Sequence, residues 1–191
     1  MKALRREFVE QLQPELTNVL HHLKFIDEIG LHLGLTRLYG RATPGMRVCE
    51  GTPDYSGPHY TTLAAIGLPG VTAPWLFEGA MNTLAFETYV QVELAPTLRR
   101  GDIVLLDNLS AHKSAEAQRL VEARGARLLF LPPYSSDLNP IELCWSKVKA
   151  ALRTAKARTL DALLEALSRA LRSVSPADIQ AWFVHCGYAC S

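Results

Sequence analysis

A chain of 191 residues, 48% apolar and 20% charged, has the size and composition of one globular domain with its own core. A formal net charge of +1 excludes a nucleic-acid binder that works through overall charge, and leaves room for a local basic track. With no long apolar run and no signal peptide, the expectation is a cytoplasmic chain with no membrane segment, nucleoid-associated in a prokaryote.

Leu4, Phe8 and Leu12 recur at four-residue spacing, which predicts an amphipathic helix over Lys2 to Gln13 ended near Pro14. Residues 1–20 are accordingly read as a connector and residues 21–191 as the main domain. Leu23 to Ile29 reads as a strand with Phe25, Asp27 and Ile29 on one face and Ile26 and Glu28 on the other. A charged Asp in such an apolar run is costly unless it is paired or bound to a metal, so Asp27 is the first functional candidate and Glu28 the second. Between Gly30 and Cys49 stand Arg37, Arg41 and Arg47 and no acid, in a hairpin-like excursion punctuated by Gly40, Pro44 and Gly45. The excursion is either an exposed polar loop or a phosphate contact, since Arg offers phosphate a bidentate fork.

Strands are predicted at about Arg47 to Gly51, His59 to Gly67 and Ala73 to Phe77, with His59 a strand-end residue without chemical duty. A helix is expected from Thr83 to Leu94, stopped by Pro96. Ile103 to Leu106 is an apolar run ending at Asp107-Asn108, Ser114 to Arg124 is helical in period, and Arg127 to Leu131 is a further strand closed by Pro132-Pro133. A strand–helix–strand unit with parallel strands presents its site at their carboxyl ends, the edge that holds Asp107 and starts the loop Pro132 to Asn139.

The next helix opens at Asn139-Pro140-Ile141-Glu142. In a plain structural reading Asn139 is the N-cap, Pro140 the first helical residue, and Glu142 closes a capping box. Asp107 would then simply begin a turn. The alternative is a pair of carboxylates brought to one metal site, and pattern alone leaves both open. Ile141, Trp145, Val148 and Leu152 form the helix's core stripe, while Glu142, Ser146, Lys149, Arg153 and Lys156 lie along an adjacent one. That second stripe is either a solvated face or a DNA track. Thr159 and Ser175-Pro176 cap two closing helices. Cys49, Cys144, Cys186 and Cys190 are scattered and read as free thiols, and His185-Cys186 with Cys190 lacks the second half of a zinc site.

DNLSAHKS followed by LPPYSSDLNPIELCWSKVK resembles the DDE transposases of the insertion-sequence-630 and mariner superfamily, whose hallmark is a strand-end Asp-Asn, a nearby His, and a Tyr-Ser-Pro-Asp-x-Asn-Pro-Ile-Glu loop. FIDEIGLHLGLTRLYGRATPG resembles that family's first acidic strand and the Arg-bearing hairpin after it. Ser136 departs from the pattern where the family has Pro. The resemblance implies an α/β, ribonuclease H-like fold, a mixed sheet flanked by helices. It implies Asp27, Asp107 and Glu142 as catalytic residues holding two Mg²⁺ ions, with Mn²⁺ as a substitute, for hydrolysis at element ends and strand transfer into target DNA.

By position His112 matches the family's His and is expected at DNA or behind the site. Arg37, Arg41, Lys149, Arg153 and Lys156 are expected to meet DNA, and Tyr134, Asn139 and Pro140 to shape the loop that places Glu142. Paired element ends favour a homodimer. The helix-turn-helix readers of the family have no room here, so they are expected on a separate or frameshift-joined reading frame, as a separately encoded partner region, or to have been lost. Two other readings stand beside this one: a silent remnant that binds DNA or a transposase and regulates it, and a doubly wound phosphohydrolase using Asp107. The latter lacks a Gly-rich phosphate loop after its first strand.

Overall fold

The computed structural model describes Phe8 and residues 20–188. Apart from Phe8, which packs half-buried against the core, the helix expected over Lys2 to Gln13 lies outside the described residues. Five strands form one mixed sheet: β1 (Leu23–His32), β2 (His59–Gly67), β3 (Gly70–Glu78), β4 (Ile103–Leu106) and β5 (Arg127–Phe130), in the spatial order 3-2-1-4-5. β1, β2 and β3 pair antiparallel, and β4 and β5 continue from β1 in parallel. This is the ribonuclease H-like arrangement that the sequence implies.

Helices cover both faces, and the period-2 alternation of β1 sorts its side chains between them. Phe25, Ile29 and Leu31 join Ile103 and Leu105 against α3 (Ile141–Ala155), α4 (Leu160–Arg172) and α5 (Pro176–His185). Ile26 joins Leu63, Val104 and Leu106 against α1 (Thr83–Tyr89) and α2 (Ala115–Glu122). All four residues of β4 are fully buried, as expected of a parallel strand covered on both sides. Ser114 and Thr159 cap α2 and α4 through their hydroxyls, and Ser175 forms a capping box with Asp178. Among the described residues no helix is long and apolar enough to cross a membrane.

Two expected elements come out differently. No strand forms at Arg47 to Gly51: those residues lie exposed in an irregular excursion, and both sides of β1, the strand they follow, are taken by β2 and β4. The helix begun at Thr83 is regular only to Tyr89. Val90–Leu94 widen into a π turn that keeps Val90 and Leu94 fully buried, and Ala95–Thr97 finish it as a 3₁₀ turn at Pro96. The thiols of Cys144 and Cys186 are buried, which pushes their pKa values up to about 12 and about 11, so neither is a ready thiolate ligand.

Trp145, 1% exposed on the inner stripe of α3, ties that helix to the sheet. Trp145→Ala should cost ~3–5 kcal/mol in a urea denaturation curve, with the m-value preserved. Ser175→Ala, which removes a single cap, should cost ~1 kcal/mol.

Candidate active site

The pairing of β1 with β4 runs Leu23 to Ile103, Lys24 to Val104 and Phe25 to Leu105. Carried on by two residues, that register sets Asp27 level with Asp107, just past the last residue of β4. Alternation places Asp27 on the Phe25 and Ile29 face, beneath α3. Glu142 stands in the first turn of α3, over the same strand ends. All three line one cavity of ≈ 500 Å³, together with Asn108, Pro132 to Ser136 and Asn139.

Among the described residues no cation stands against Asp27, whereas Asp107 has the imidazole of His112 beside it. Asp27 has its pKa raised to about 8, first by burial, then by Glu142, Glu28 and Asp107, while a backbone hydrogen bond at Glu28 acts in the opposite direction. The contrast with Asp102 is instructive. That acid is 2% exposed, yet His22 and Lys24 stand 3.1 and 3.9 Å away and the Arg99 backbone N–H donates to it at 2.9 Å. Asp102 is thus a satisfied structural acid, and Asp27 is held at a cost.

An all-oxygen, all-anionic donor set suits a hard divalent cation, whose charge would reverse the shift at Asp27. Among the described residues no three acid, His or Cys side chains already close around a common point. The three acids line a cavity rather than a finished cage, a fit for Mg²⁺, which keeps several of its waters.

The loop before α3 is built differently from a capping box. Pro140, with φ −60° and ψ −24°, is itself the N-cap, and Asn139 is extended at φ −110° and ψ 95°. Asn139 gives its backbone carbonyl, not its side chain, to the Glu142 N–H at 3.1 Å, and its buried Oδ1 has no hydrogen-bond partner. The Glu142 carboxylate is therefore not consumed in capping. Tyr134 has φ +57°, and its ring is 89% exposed at the cavity mouth, so it does not brace the loop by packing. The bracing comes from a residue that the sequence gives little reason to single out. The Tyr188 hydroxyl donates to the Leu138 carbonyl at 2.7 Å while its ring packs on Phe25. Only its place near two other aromatic core residues hinted at that role.

His112, expected at DNA or behind the site, is 2% exposed and engaged by two acids. Its Nδ1 lies 2.6 Å from Asp107 Oδ1, and its Nε2 lies 3.2 Å from Glu28 Oε2 in an ion-pair approach without hydrogen-bond alignment. Burial pulls its pKa down, but the two carboxylates prevail and lift it to about 9. Glu28, the second candidate of β1, thus serves the opposite face from Asp27.

Of the basic residues, Arg37 and Arg41 are exposed on the excursion, and Lys149 and Arg153 are half-buried along α3. Lys156 sits in a left-handed C-cap and is ion-paired with Glu50. Lys147 is structural, bound to the Ser173 carbonyl and to Asp178. Arg158, unassigned from sequence, donates to the carbonyls of Leu33 and Leu35 and pins the exit of β1.

A ribonuclease H-like sheet with one acid within its central strand, a second just past the end of the parallel neighbour and a third on the helix above them defines a DDE-type nuclease domain. The chain belongs to the DDE superfamily endonuclease family, whose model matches residues 22–164. It is similar to the Transposable element Tc1 transposase of Caenorhabditis elegans, 30% identical over 89 residues that make up 47% of this chain and 33% of that protein. Its fold is similar to that of the Mos1 strand transfer complex, with a TM-score of 0.71 at 16% identity, covering 96% of this chain and 56% of that one. It is also similar to the mariner Mos1 paired end complex with Mg, with a TM-score of 0.72 at 17% identity, covering 95% and 59%. The chain therefore spans about a third of the Tc1 protein and just over half of these Mos1 chains.

The raised pKa of Asp27 has a measurable consequence. Its folded value of about 8 lies above the unfolded one of about 3.9, so between them the folded state keeps a proton that the unfolded state has released. In divalent-free buffer the melting temperature should therefore fall as pH rises from 4 to 8. Asp27→Asn should flatten that fall and raise the midpoint at pH 8 by roughly 3–8 °C in differential scanning calorimetry.

Proposed function

We propose that this chain is the catalytic domain of a cut-and-paste DNA transposase, cleaving phosphodiester bonds at element ends and joining them to target DNA. The observation that carries this reading is the shared cavity of Asp27, Asp107 and Glu142, with Asp27 lifted to about 8 by burial and neighbouring carboxylates. Acids that repel one another so strongly in an open cavity are poised for cations and for a substrate that brings them. Asp27, Asp107 and Glu142 would hold a pair of Mg²⁺ ions, with Mn²⁺ as a substitute. Bound there, they supply charge neutralisation at phosphorus and lower the pKa of the attacking water.

The chain's own residues do the remaining work. Lys149 and Arg153 lead away from Glu142 along α3 and would seat the DNA backbone. Arg37 and Arg41 offer further guanidinium forks from the excursion. Tyr134, exposed at the mouth, borders the path of the strand, while Asn139 and Pro140 set where Glu142 begins its helix. Recognition of the element ends would fall to a helix-turn-helix region outside these residues, with two copies of the chain acting on paired ends. The mixture of the two in a nucleoid-bound complex requires no membrane.

With a precleaved element-end oligonucleotide, target plasmid and Mg²⁺ or Mn²⁺, the wild-type chain should nick or join strands. Asp107→Asn and Glu142→Gln should lower that activity by roughly 10³-fold or more with folding preserved, the scale of losing a transition-state charge stabiliser. DNA binding without metal-dependent cleavage in the wild type would instead identify a regulatory protein. Lys149→Ala and Arg153→Ala should each reduce the slope of log binding constant against log salt by about 1, independently of sequence.

A further inference from the structure

Asp107 lies beyond the end of β4, outside the ladder that fixes Asp27, so something else must orient its carboxylate. Two donors converge on a single oxygen. The Leu109 backbone N–H reaches Oδ1 at 3.2 Å, and His112 Nδ1 approaches the same atom at 2.6 Å. The far nitrogen of the imidazole faces Glu28 at 3.2 Å, from the opposite face of β1 to Asp27. The ring is itself immobilised. Phe86 of α1 packs on it with centroids 4.6 Å apart, and two residues on, the Ser114 hydroxyl donates to Glu87 of the same helix. Ser114 also caps α2 at the Ala117 N–H, so the 3₁₀ turn Ser110–His112 is anchored from both sides.

We propose that His112 and Glu28 are positioning residues for Asp107: the imidazole, backed by Glu28, fixes Oδ1 and so presents Oδ2 to the catalytic cavity. The inference rests on the metal-binding reading of that cavity. A carboxylate fixed in advance has less rotational freedom to lose when it takes up a cation, and outer partners of this kind typically account for 10–100-fold in metal affinity. The arrangement also gives Glu28 a task that its alternation away from the cavity would otherwise deny it.

The test uses Mn²⁺ alone, titrated against the full chain by calorimetry and by thermal shift, with folding followed by circular dichroism. Asparagine places its amide where Nδ1 stands and glutamine where Nε2 stands, so His112→Asn keeps the donor to Asp107 and His112→Gln removes it. His112→Gln should weaken Mn²⁺ binding by roughly 10–100-fold, His112→Asn by less than about 3-fold, and Glu28→Gln by an intermediate factor. Asp107→Asn should abolish the same binding.

Wild-type affinity in a folded His112→Gln, or an equal loss in the Asn and Gln variants, overturns the positioning role while leaving the metal site standing. A wild type that takes up no Mn²⁺ overturns both. If His112→Gln does not fold, Glu28→Gln, an isosteric change in a side chain 16% exposed, decides in its place: unchanged Mn²⁺ affinity overturns the proposal.

Discussion

The parallel register between β1 and β4 is the constraint on which the rest of the site depends. A shift of one residue in that pairing would turn every β1 side chain to the opposite face, exchanging Asp27 for Glu28 or Ile26 beneath α3. The register is secured by β4, whose side chains are buried on both faces, so slippage would break packing on each side at once. Hydrophobic burial, which has no direction of its own, thereby sets Asp27 level with Asp107 and desolvates it at a cost to its ionisation.

Each acid is held by a different device. Asp27 belongs to the ladder itself. Asp107 is off the ladder and is oriented by a buried imidazole and a backbone N–H. Glu142 rides on a helix whose stripe of Ile141, Trp145, Val148 and Leu152 locks onto the sheet, and whose entry loop is tied down by the Tyr188 hydroxyl. Where a carboxylate has no catalytic use, as at Asp102, the fold supplies His22, Lys24 and a backbone N–H at once. The contrast holds against Asp27, which is buried and has no cationic partner among the described residues, while Asp107 shares with Asp102 a His and a backbone N–H.

Much of this was legible in the sequence because short-range physics determines it. The alternation through Phe25, Asp27 and Ile29, the apolar run ending at Asp107 and the stripe from Ile141 are local patterns, and the structure keeps them. The failures are all questions of partnership. Arg47 to Gly51 has strand-like residues but pairs with none of the five strands. Asn139 has the composition of an N-cap, yet Pro140 takes that place and the Asn139 Oδ1 accepts no hydrogen bond from the helix. For His112 the sequence left DNA or the back of the site open, because its environment is set by Glu28 and Phe86, far away along the chain. Tyr188 and Arg158 act through hydrogen bonds to distant carbonyls, and no local pattern announces those.

The excursion between β1 and β2 begins and ends at neighbouring points, since His32 and His59 are paired across the two strands and Arg158 fastens the exit at Leu33 and Leu35. With its base closed in this way, the free energy of closing such a loop grows only logarithmically with its length, by about 0.6 kcal/mol for each doubling. Changes of length in this segment are therefore cheap for the sheet that closes its base, and what limits its rewriting is the DNA contact proposed for Arg37 and Arg41.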